Sequence, residues 1–394
     1  MQAAIAKLAS MIFPVAPQQP GECAILRLSE VLALAMSDEA SARSFFTEAG
    51  ANDVTYVSAV RINEGGLSPC TLGELYCFGA MVQEAASQGK AVVVCSGQDA
   101  EVVTLCSLYL GCYMISWQDA SAEDMVTLFG RIAGRLTSFR DLSGEMGGDA
   151  VTIFDCFEAI FKARALRWVD LAQEDSCDSD AISMEEYFTY GSPYNGALHV
   201  IVPSKIVAFP CPRDLPPLIA EEEEGAQTWS DLEGERYFSA EFYATLLCDY
   251  DVQVIVCSGS DQYDATGFGR ADIDVEDFGR DHSASLLGQI DRFLTLAQVV
   301  PGAIGVHSTG DLLDRHMVVL ICAYLVRQHR FGGKAAIAWI RMVQSPLVDS
   351  GVRFSSEGGT DSEGSESSAR LPQGHRPAAP VPQPIAGEVA ASAP

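Results

Sequence analysis

One stretch of the sequence has the residue types and spacing of a phosphate-binding loop: GVHSTGDLLDRHMVV, residues 305–319. A short apolar strand is expected over 303–306, and it leads into His307, a polar loop and a long apolar helix. A helix N-terminus presents free backbone N–H groups, and an arginine can hold phosphate oxygens through two parallel hydrogen bonds. The candidate residues of this anion site, which we call the phosphate loop, are His307, Ser308, Thr309, Gly310, Asp311, Leu312, Leu313, Asp314 and Arg315.

Charge and length limit the class of protein around this loop. The chain has 394 residues, enough for two or three domains, and a net charge of −28 from 53 acidic and 25 basic residues. Nucleic acids and anionic membranes require basic surfaces, so we expect neither as a main partner. The acidic balance fits proteins or peptides with basic segments, although a solvated acidic surface gives the same composition.

The cysteines indicate buried thiols rather than disulfides or a metal centre. The twelve cysteines are scattered, mostly inside apolar runs, without a CxxC pair or a cysteine/histidine cluster of zinc spacing. We therefore expect a reducing, intracellular environment, no metal and no cofactor. The longest apolar run, residues 102–117, is too short and too polar to be predicted as a membrane-spanning helix.

Elsewhere the chain alternates between apolar strands and helices. A buried strand is predicted over 91–96, and an amphipathic helix over 121–132 has Ser121 as its predicted N-cap. A strand, a loop, a long helix and a short helix recur about two hundred residues later, which indicates an internal duplication. An exposed loop or insertion is predicted over 212–235, including the glutamates 221–224. The stretch 267–281 lacks the glycine of a calcium loop and predicts an acidic surface turn.

The order of these segments resembles the tandem-domain, dual-specificity protein phosphatases of mitotic exit, the cell-division-cycle-fourteen family. In the N-terminal half the resemblance rests on LGELYCFGAM (72–81) and VVVCSGQDAEVVTLCSLYLGCYM (92–114). In the C-terminal half it rests on VTIFDCFEAIFKA (151–163), MEEYFTYG (184–191), VIVPSKIVAF (200–209), AIGVH (303–307) and AYLVRQHRFGGKAAIAWIRM (323–342). It extends in order from about residue 40 to 345.

The resemblance implies an α/β fold of two tandem cysteine-phosphatase-like domains, each a central, mostly parallel sheet flanked by helices. We expect a non-catalytic N-terminal domain over 1–183, with its first ~35 residues unassigned, and a linker over 184–198. The C-terminal, dual-specificity-phosphatase-like domain is expected over 199–350, and a disordered Ser/Gly/Pro/Ala tail over 351–394. The resemblance also implies a location in the nucleus, centrosome or cytoplasm.

The family's catalytic residues are replaced at the matching positions of the phosphate loop. The superfamily signature is His-Cys, five residues and then Arg, because a thiolate attacks phosphorus and a guanidinium holds the oxygens. Aligned on His307, the nucleophile position holds Ser308 and the arginine position holds Asp314; aligned on Arg315, the nucleophile position holds Thr309. None of the twelve cysteines is followed by an arginine six residues later. Cys95, at the matching position of the first repeat, is predicted to be a core thiol.

Three further positions bear on the chemistry. Asp281 matches the family's general acid, although an exposed helix-capping aspartate explains it equally well. The family's basic stretch after the preceding strand is VCSGSD, residues 256–261, which is neutral to acidic. Its glutamine pair beyond the last helix matches SPLVDSGVRF, residues 345–354, which contains no glutamine.

Two functions follow from this pattern. The first is a pseudophosphatase that binds or scaffolds proteins, including phosphoserine-proline or basic peptide segments, with little or no turnover. The second is an active protein phosphatase with an atypical loop, which would use Ser308 or Thr309 as nucleophile and Asp281 as acid. A third role, stabilising an active phosphatase relative, cannot be distinguished from scaffolding by sequence.

Overall fold

Two α/β units follow one another along the chain. The computed structural model describes residues 24–29, 32–49, 53–61, 67–140, 150–172, 181–215, 228–232, 234–258, 263–279, 285–309, 313–344 and 352–355. The strands predicted from the sequence near 91–96 and 303–306 are present at residues 91–95 and 303–307, and both are buried at every position. Buried parallel strands are continuous apolar runs, which is why the sequence revealed them.

The first unit alternates strands and helices up to residue 165. Its strands are β1 (Ala24–Arg27), β2 (Leu32–Met36), β3 (Val54–Arg61) and β4 (Ala91–Cys95). Its helices are α1 (Glu39–Glu48), α2 (Leu72–Ser87), α3 (Ala100–Trp117), α4 (Ala122–Gly130) and α5 (Ile153–Ala165), with a short 3₁₀ turn at Ala133–Arg135. Ser121 caps α4 as predicted and forms a reciprocal capping box with Asp124.

The second unit follows a short helix, α6 (Met184–Tyr190), which lies within the predicted linker. Its strands are β5 (His199–Val202), β6 (Ile206–Ala208), β7 (Trp229–Leu232), β8 (Glu235–Phe238), β9 (Val252–Cys257), β10 (Asp274–Asp277) and β11 (Ala303–His307). Its helices are α7 (Ala240–Asp249), α8 (Thr266–Arg270), α9 (Leu286–Val299), α10 (Arg315–His329) and α11 (Gly333–Val343). A last strand, β12 (Val352–Ser355), follows α11.

The two sheets have corresponding strand orders, β1-β2-β4-β3-β12 and β5-β6-β11-β9-β10. In each unit an antiparallel strand pair leads into parallel strands, three in the first sheet and four in the second. The last parallel strand in sequence, β4 or β11, lies at the centre of its five-stranded sheet. A long helix follows that middle strand in both units, α3 after β4 and α10 after β11. The predicted duplication and the predicted α/β class are therefore confirmed.

Two predictions about the connecting segments are wrong, and the insertion predicted over 212–235 contains a hairpin. Residues 274–277, expected in a surface turn, form β10 and pair in parallel with β9. Residues 352–355, expected in the disordered tail, form β12 and pair with β3. The insertion at 212–235 contributes β7 and the start of β8, which together form a two-stranded hairpin; the glutamates 221–224 and residues 356–394 lie outside the described residues.

The units share one core rather than meeting at a polar boundary. The largest cluster of buried side chains includes Val94 of the first sheet and Val306 of the second. Trp339 of α11 is fully buried, donates its indole N–H to the Ile201 carbonyl at 2.9 Å and lies 5.9 Å from the Trp168 ring. Apolar burial of this kind is the main favourable term in folding, so it holds the two units together.

Helix α3 lies within this core. Among the described helices it has the length and apolar composition of a membrane span, and 83% of its 18 residues are buried inside the fold. A helix that is apolar on all sides is typical of a protein interior as well as of a bilayer. Gly111 permits close packing of α3 against α5, because a Cβ at that position would lie 2.3 Å from the Phe157 ring.

We expect Gly111→Ala to lower the free energy of unfolding by about 1–3 kcal/mol, since the added methyl group overpacks the α3–α5 contact. Gly130→Ala is the matched control: an added Cβ there has no neighbour within 4 Å. It should leave stability unchanged or raise it by about 0.5–1 kcal/mol through helix propensity. Urea unfolding of both variants measures the difference, and equal stabilities would contradict the close packing.

Candidate functional site

The phosphate loop begins where β11 ends, at the carboxyl edge of the second sheet. His307 is the last residue of β11 and pairs in register with Cys257, the last residue of the neighbouring strand β9. Ser258 follows directly and donates its backbone N–H to the His307 carbonyl at 3.4 Å. The carboxyl ends of parallel strands are the usual place for ligands in α/β proteins, so the fold positions the loop suitably.

His307 is buried and both of its ring nitrogens are occupied. Its Nδ1 lies 3.2 Å from the Ser308 carbonyl oxygen and its Nε2 lies 2.9 Å from the Tyr263 hydroxyl. A carbonyl only accepts, so Nδ1 carries the proton and Nε2 accepts from Tyr263. Burial lowers the pKa of His307 to about 4, so the ring is neutral near pH 7. The ring therefore joins the end of β11 to Tyr263, and its basic nitrogen faces the Tyr263 hydroxyl.

Ser308, at the nucleophile position, is 2% exposed. Its Oγ accepts a hydrogen bond of 2.8 Å from the backbone N–H of Asp314, six residues later. A hydroxyl has a much higher pKa than a thiol and needs an adjacent base to attack phosphorus. The His307 lone pair that could serve is already engaged by Tyr263. Within the described residues, the Ser308 hydroxyl therefore joins the end of β11 to the start of α10.

Asp314 supplies the anion at the N-terminus of α10. It is the N-cap of that helix, and its Oδ1 accepts from the Met317 N–H at 2.8 Å. Its Oδ2 accepts from the Ser258 hydroxyl at 2.8 Å. An N-cap carboxylate satisfies one of the helix's unpaired donors and interacts favourably with the positive end of the helix dipole. In other proteins, donors at a helix N-terminus can bind anions such as phosphate.

The first unit has the same arrangement at the corresponding place. After β4, Cys95 and Ser96 are both 3% exposed, and Asp99 is the N-cap of α3. One oxygen of Asp99 accepts from the Glu101 N–H at 2.8 Å and the Val102 N–H at 3.1 Å. Cys95 is a core thiol, as predicted, and both units thus close this helix end with an aspartate.

Of the remaining phosphate-loop residues, Thr309, Leu313 and Arg315 lie within the described residues and the others do not. Arg315, predicted in the loop, is instead the first residue of α10, and its side chain is exposed. Thr309 is exposed and Leu313 is 8% exposed. Gly310, Asp311, Leu312 and Asp281 lie outside the described residues, so their predicted roles stay predictions.

Two residues of this network were missed from the sequence. Ser258 could have been found, because it follows the apolar strand β9 and parallel strands bring their carboxyl ends to one edge. Tyr263 has no comparable signal, since its contact with His307 spans 44 residues and follows an irregular segment. Among the described residues no group of three or more His, Cys, Asp or Glu is placed to hold a metal ion.

The described part of the site thus consists of β11, the Ser308–Asp314 hydrogen bond and the aspartate-capped start of α10. Comparison with known proteins indicates the class of protein. The family described as "Dual specificity protein phosphatase, N-terminal half" matches residues 64–163, which lie in the first unit. The second unit contains the candidate site.

Three curated relatives make the similarity more specific. The human dual specificity protein phosphatase CDC14C is 27% identical over 263 residues, covering 66% of this chain and 53% of that protein. Mouse CDC14B is 27% identical and covers 66% of this chain and 49% of its own length. The tyrosine-protein phosphatase CDC14 of Candida albicans is 25% identical over 288 residues, covering 71% and 48%.

The chain is therefore similar to CDC14 dual-specificity phosphatases over about two thirds of its length. It spans about half the length of the curated relatives it matches. A putative protein tyrosine phosphatase from Leishmania major is a solved structure with 20% identity, covering 38% of this chain and 83% of that one. Its TM-score of 0.26 is too low to support an argument.

We expect Asp314→Ala to lower the free energy of unfolding by about 1 kcal/mol, because the first turn of α10 loses its acceptor. Asp314→Asn should remain close to wild type, since an asparagine side chain caps almost as well. Asp99→Ala should cost a similar amount at α3 and serves as the internal comparison. Guanidinium unfolding measures all three, and an Asp314→Ala protein as stable as Asp314→Asn would contradict the cap.

The buried state of His307 predicts a dependence of stability on pH. Its folded pKa of about 4 lies below the 6.5 of an exposed histidine, so the unfolded chain binds the extra proton first. This contribution to stability is complete above pH 6.5 and is lost as pH falls toward 4, by at most about 1.4 kcal/mol per pH unit. His307→Gln should show a shallower fall in unfolding free energy between pH 7 and 5. Tyr263→Phe retains the histidine, so it should keep the wild-type slope; equal slopes for all three would refute the assignment.

Proposed function

We propose that this chain is a pseudophosphatase, a phosphatase-like protein that binds other proteins without hydrolysing phosphate esters. The observation that carries the proposal is the Asp314 carboxylate at the N-terminus of α10, where a phosphate would otherwise bind. A phosphate dianion at that position would meet a fixed negative charge within a few ångströms. The aspartate-capped loop of the first unit supports the same view.

The hydrogen bonds of the described loop residues also support the proposal. Neither register of the phosphate loop contains a cysteine, and Ser308 Oγ is an acceptor for the Asp314 N–H. The neutral His307 ring engages Tyr263 and the Ser308 carbonyl oxygen, so it is not placed to take a proton from the Ser308 hydroxyl. Phosphoryl transfer through this serine would require the network to be rebuilt.

We infer that the partners are proteins or peptides with basic segments, phosphorylated at serine-proline sites or not. The net charge of −28 favours cationic partners and speeds their association at low salt. An active phosphatase relative is one such partner. A nuclear, centrosomal or cytoplasmic location is proposed from the resemblance to mitotic-exit phosphatases.

One titration tests catalysis and binding together. A fluorescein-labelled peptide with a phosphoserine-proline site followed by lysines is added to the protein, and anisotropy and released phosphate are recorded. We expect saturable, salt-sensitive binding, no released phosphate above the buffer rate, and affinity no higher than that of the unphosphorylated twin peptide. The physical reason is that the peptide lysines are attracted to the acidic protein, whereas the phosphate is repelled by the Asp314 carboxylate.

Two variants make the outcome decisive. Ser308→Cys should release no phosphate, because the thiol alone leaves the Asp314 carboxylate at the helix end. Phosphate release by the wild-type protein that Asp281→Ala abolishes would establish an active phosphatase and overturn the proposal. An exchange of lysines for alanines in the peptide serves as the control and should abolish binding.

A further inference from the structure

The fifth strand of the first sheet comes from the far end of the chain. Strand β12 pairs antiparallel with β3, placing Val352 opposite Arg61 and Ser355 opposite Ser58. It follows α11, the last helix of the second unit, so the chain returns to the first unit to form it. Without this segment, β3 would be the open edge of its sheet.

The second sheet fills the corresponding position with its own residues. There β10 lies outside β9, and it is formed by the long connection between β9 and α9. In the first unit the corresponding connection, between β3 and α2, covers only residues 62–71, and its described part, 67–71, contains no strand. The outer strand of the first sheet, β12, therefore comes from beyond the second unit, whereas the outer strand of the second sheet, β10, comes from within its own unit.

An exposed sheet edge has unpaired N–H and C=O groups that accept another strand. Recognition of this kind uses main-chain hydrogen bonds, so it requires an extended segment of suitable direction more than a particular side chain. A four-residue strand makes few such bonds, and its binding depends on the high local concentration that its connection to α11 provides. Another extended segment can therefore replace β12 beside β3.

We propose that the outer edge of β3 is a strand-acceptor site for an antiparallel extended segment, occupied in this structure by residues 352–355 of the same chain. The site would accept the same segment in trans whenever the internal one is withdrawn. The acceptor strand belongs to the first unit and the phosphate loop to the second. The proposal is therefore independent of whether the loop binds or hydrolyses phosphate.

The test uses the full chain with Val352→Pro and Phe354→Pro together, because prolines remove backbone donors from β12. The probe is a fluorescein-labelled peptide of residues 349–358, DSGVRFSSEG. We expect the double-proline variant to bind it at least 10-fold more tightly than wild type, in which the internal segment competes. Hydrogen exchange of β3 amides should be at least 10-fold faster in the variant and return toward wild type with saturating peptide.

Matched controls separate pairing from general effects of proline. Ser362→Pro with Ser365→Pro places two prolines beyond β12 and should leave both binding and β3 exchange at wild-type values. The peptide carrying the same two prolines as the variant should not bind. Unchanged β3 exchange in the Val352→Pro/Phe354→Pro variant, no peptide binding to it, or equal binding to variant and wild type would each overturn the proposal.

Discussion

The N-terminus of α10 must be given a hydrogen-bond acceptor, and the properties of the candidate site depend on which group supplies it. The first turn of a helix has donors without partners and carries a partial positive charge. Asp314 meets that need from within the chain, while Ser258 and Ser308 fix its side chain and backbone. An anionic ligand would have to displace a tethered carboxylate, which has no translational entropy to lose.

The residues before this helix end are also held by hydrogen bonds within the chain. His307 and Tyr263 form a buried hydrogen-bonded pair that satisfies both side chains without reference to a ligand. Buried polar groups of this kind rigidify a loop when all their partners are present. The described ends of the loop are therefore held by hydrogen bonds of His307 and Ser308.

The sequence predicted the buried strands and long helices well because continuous apolar runs need no information about distant residues. From the sequence we predicted the positions of β4 and β11, Ser121 as a helix N-cap, and the order of strands and helices around the middle strand of each unit. We missed the role of Asp314 because the loop was aligned on His307 and Arg315, although an aspartate directly before an apolar helix is itself an N-cap signal. The edge strands β10 and β12 were not predicted, because DVED and VRFS are short and the sequence on either side of them is polar. Such strands are determined by the neighbour they pair with, as β9 and β3 show.

The core that joins the two units has a consequence for how the protein could recognise a partner. The linker helix is tied to α11, since Tyr187 donates its hydroxyl to the Val343 carbonyl at 2.9 Å, and Trp339 crosses to β5. Units fastened by buried side chains do not rotate about a hinge without exposing apolar surface to water. A partner would meet a surface of nearly fixed shape, and the cost of ordering would fall mainly on the partner's own chain. Such a surface favours extended, initially unstructured segments over folded domains that need an adaptable groove.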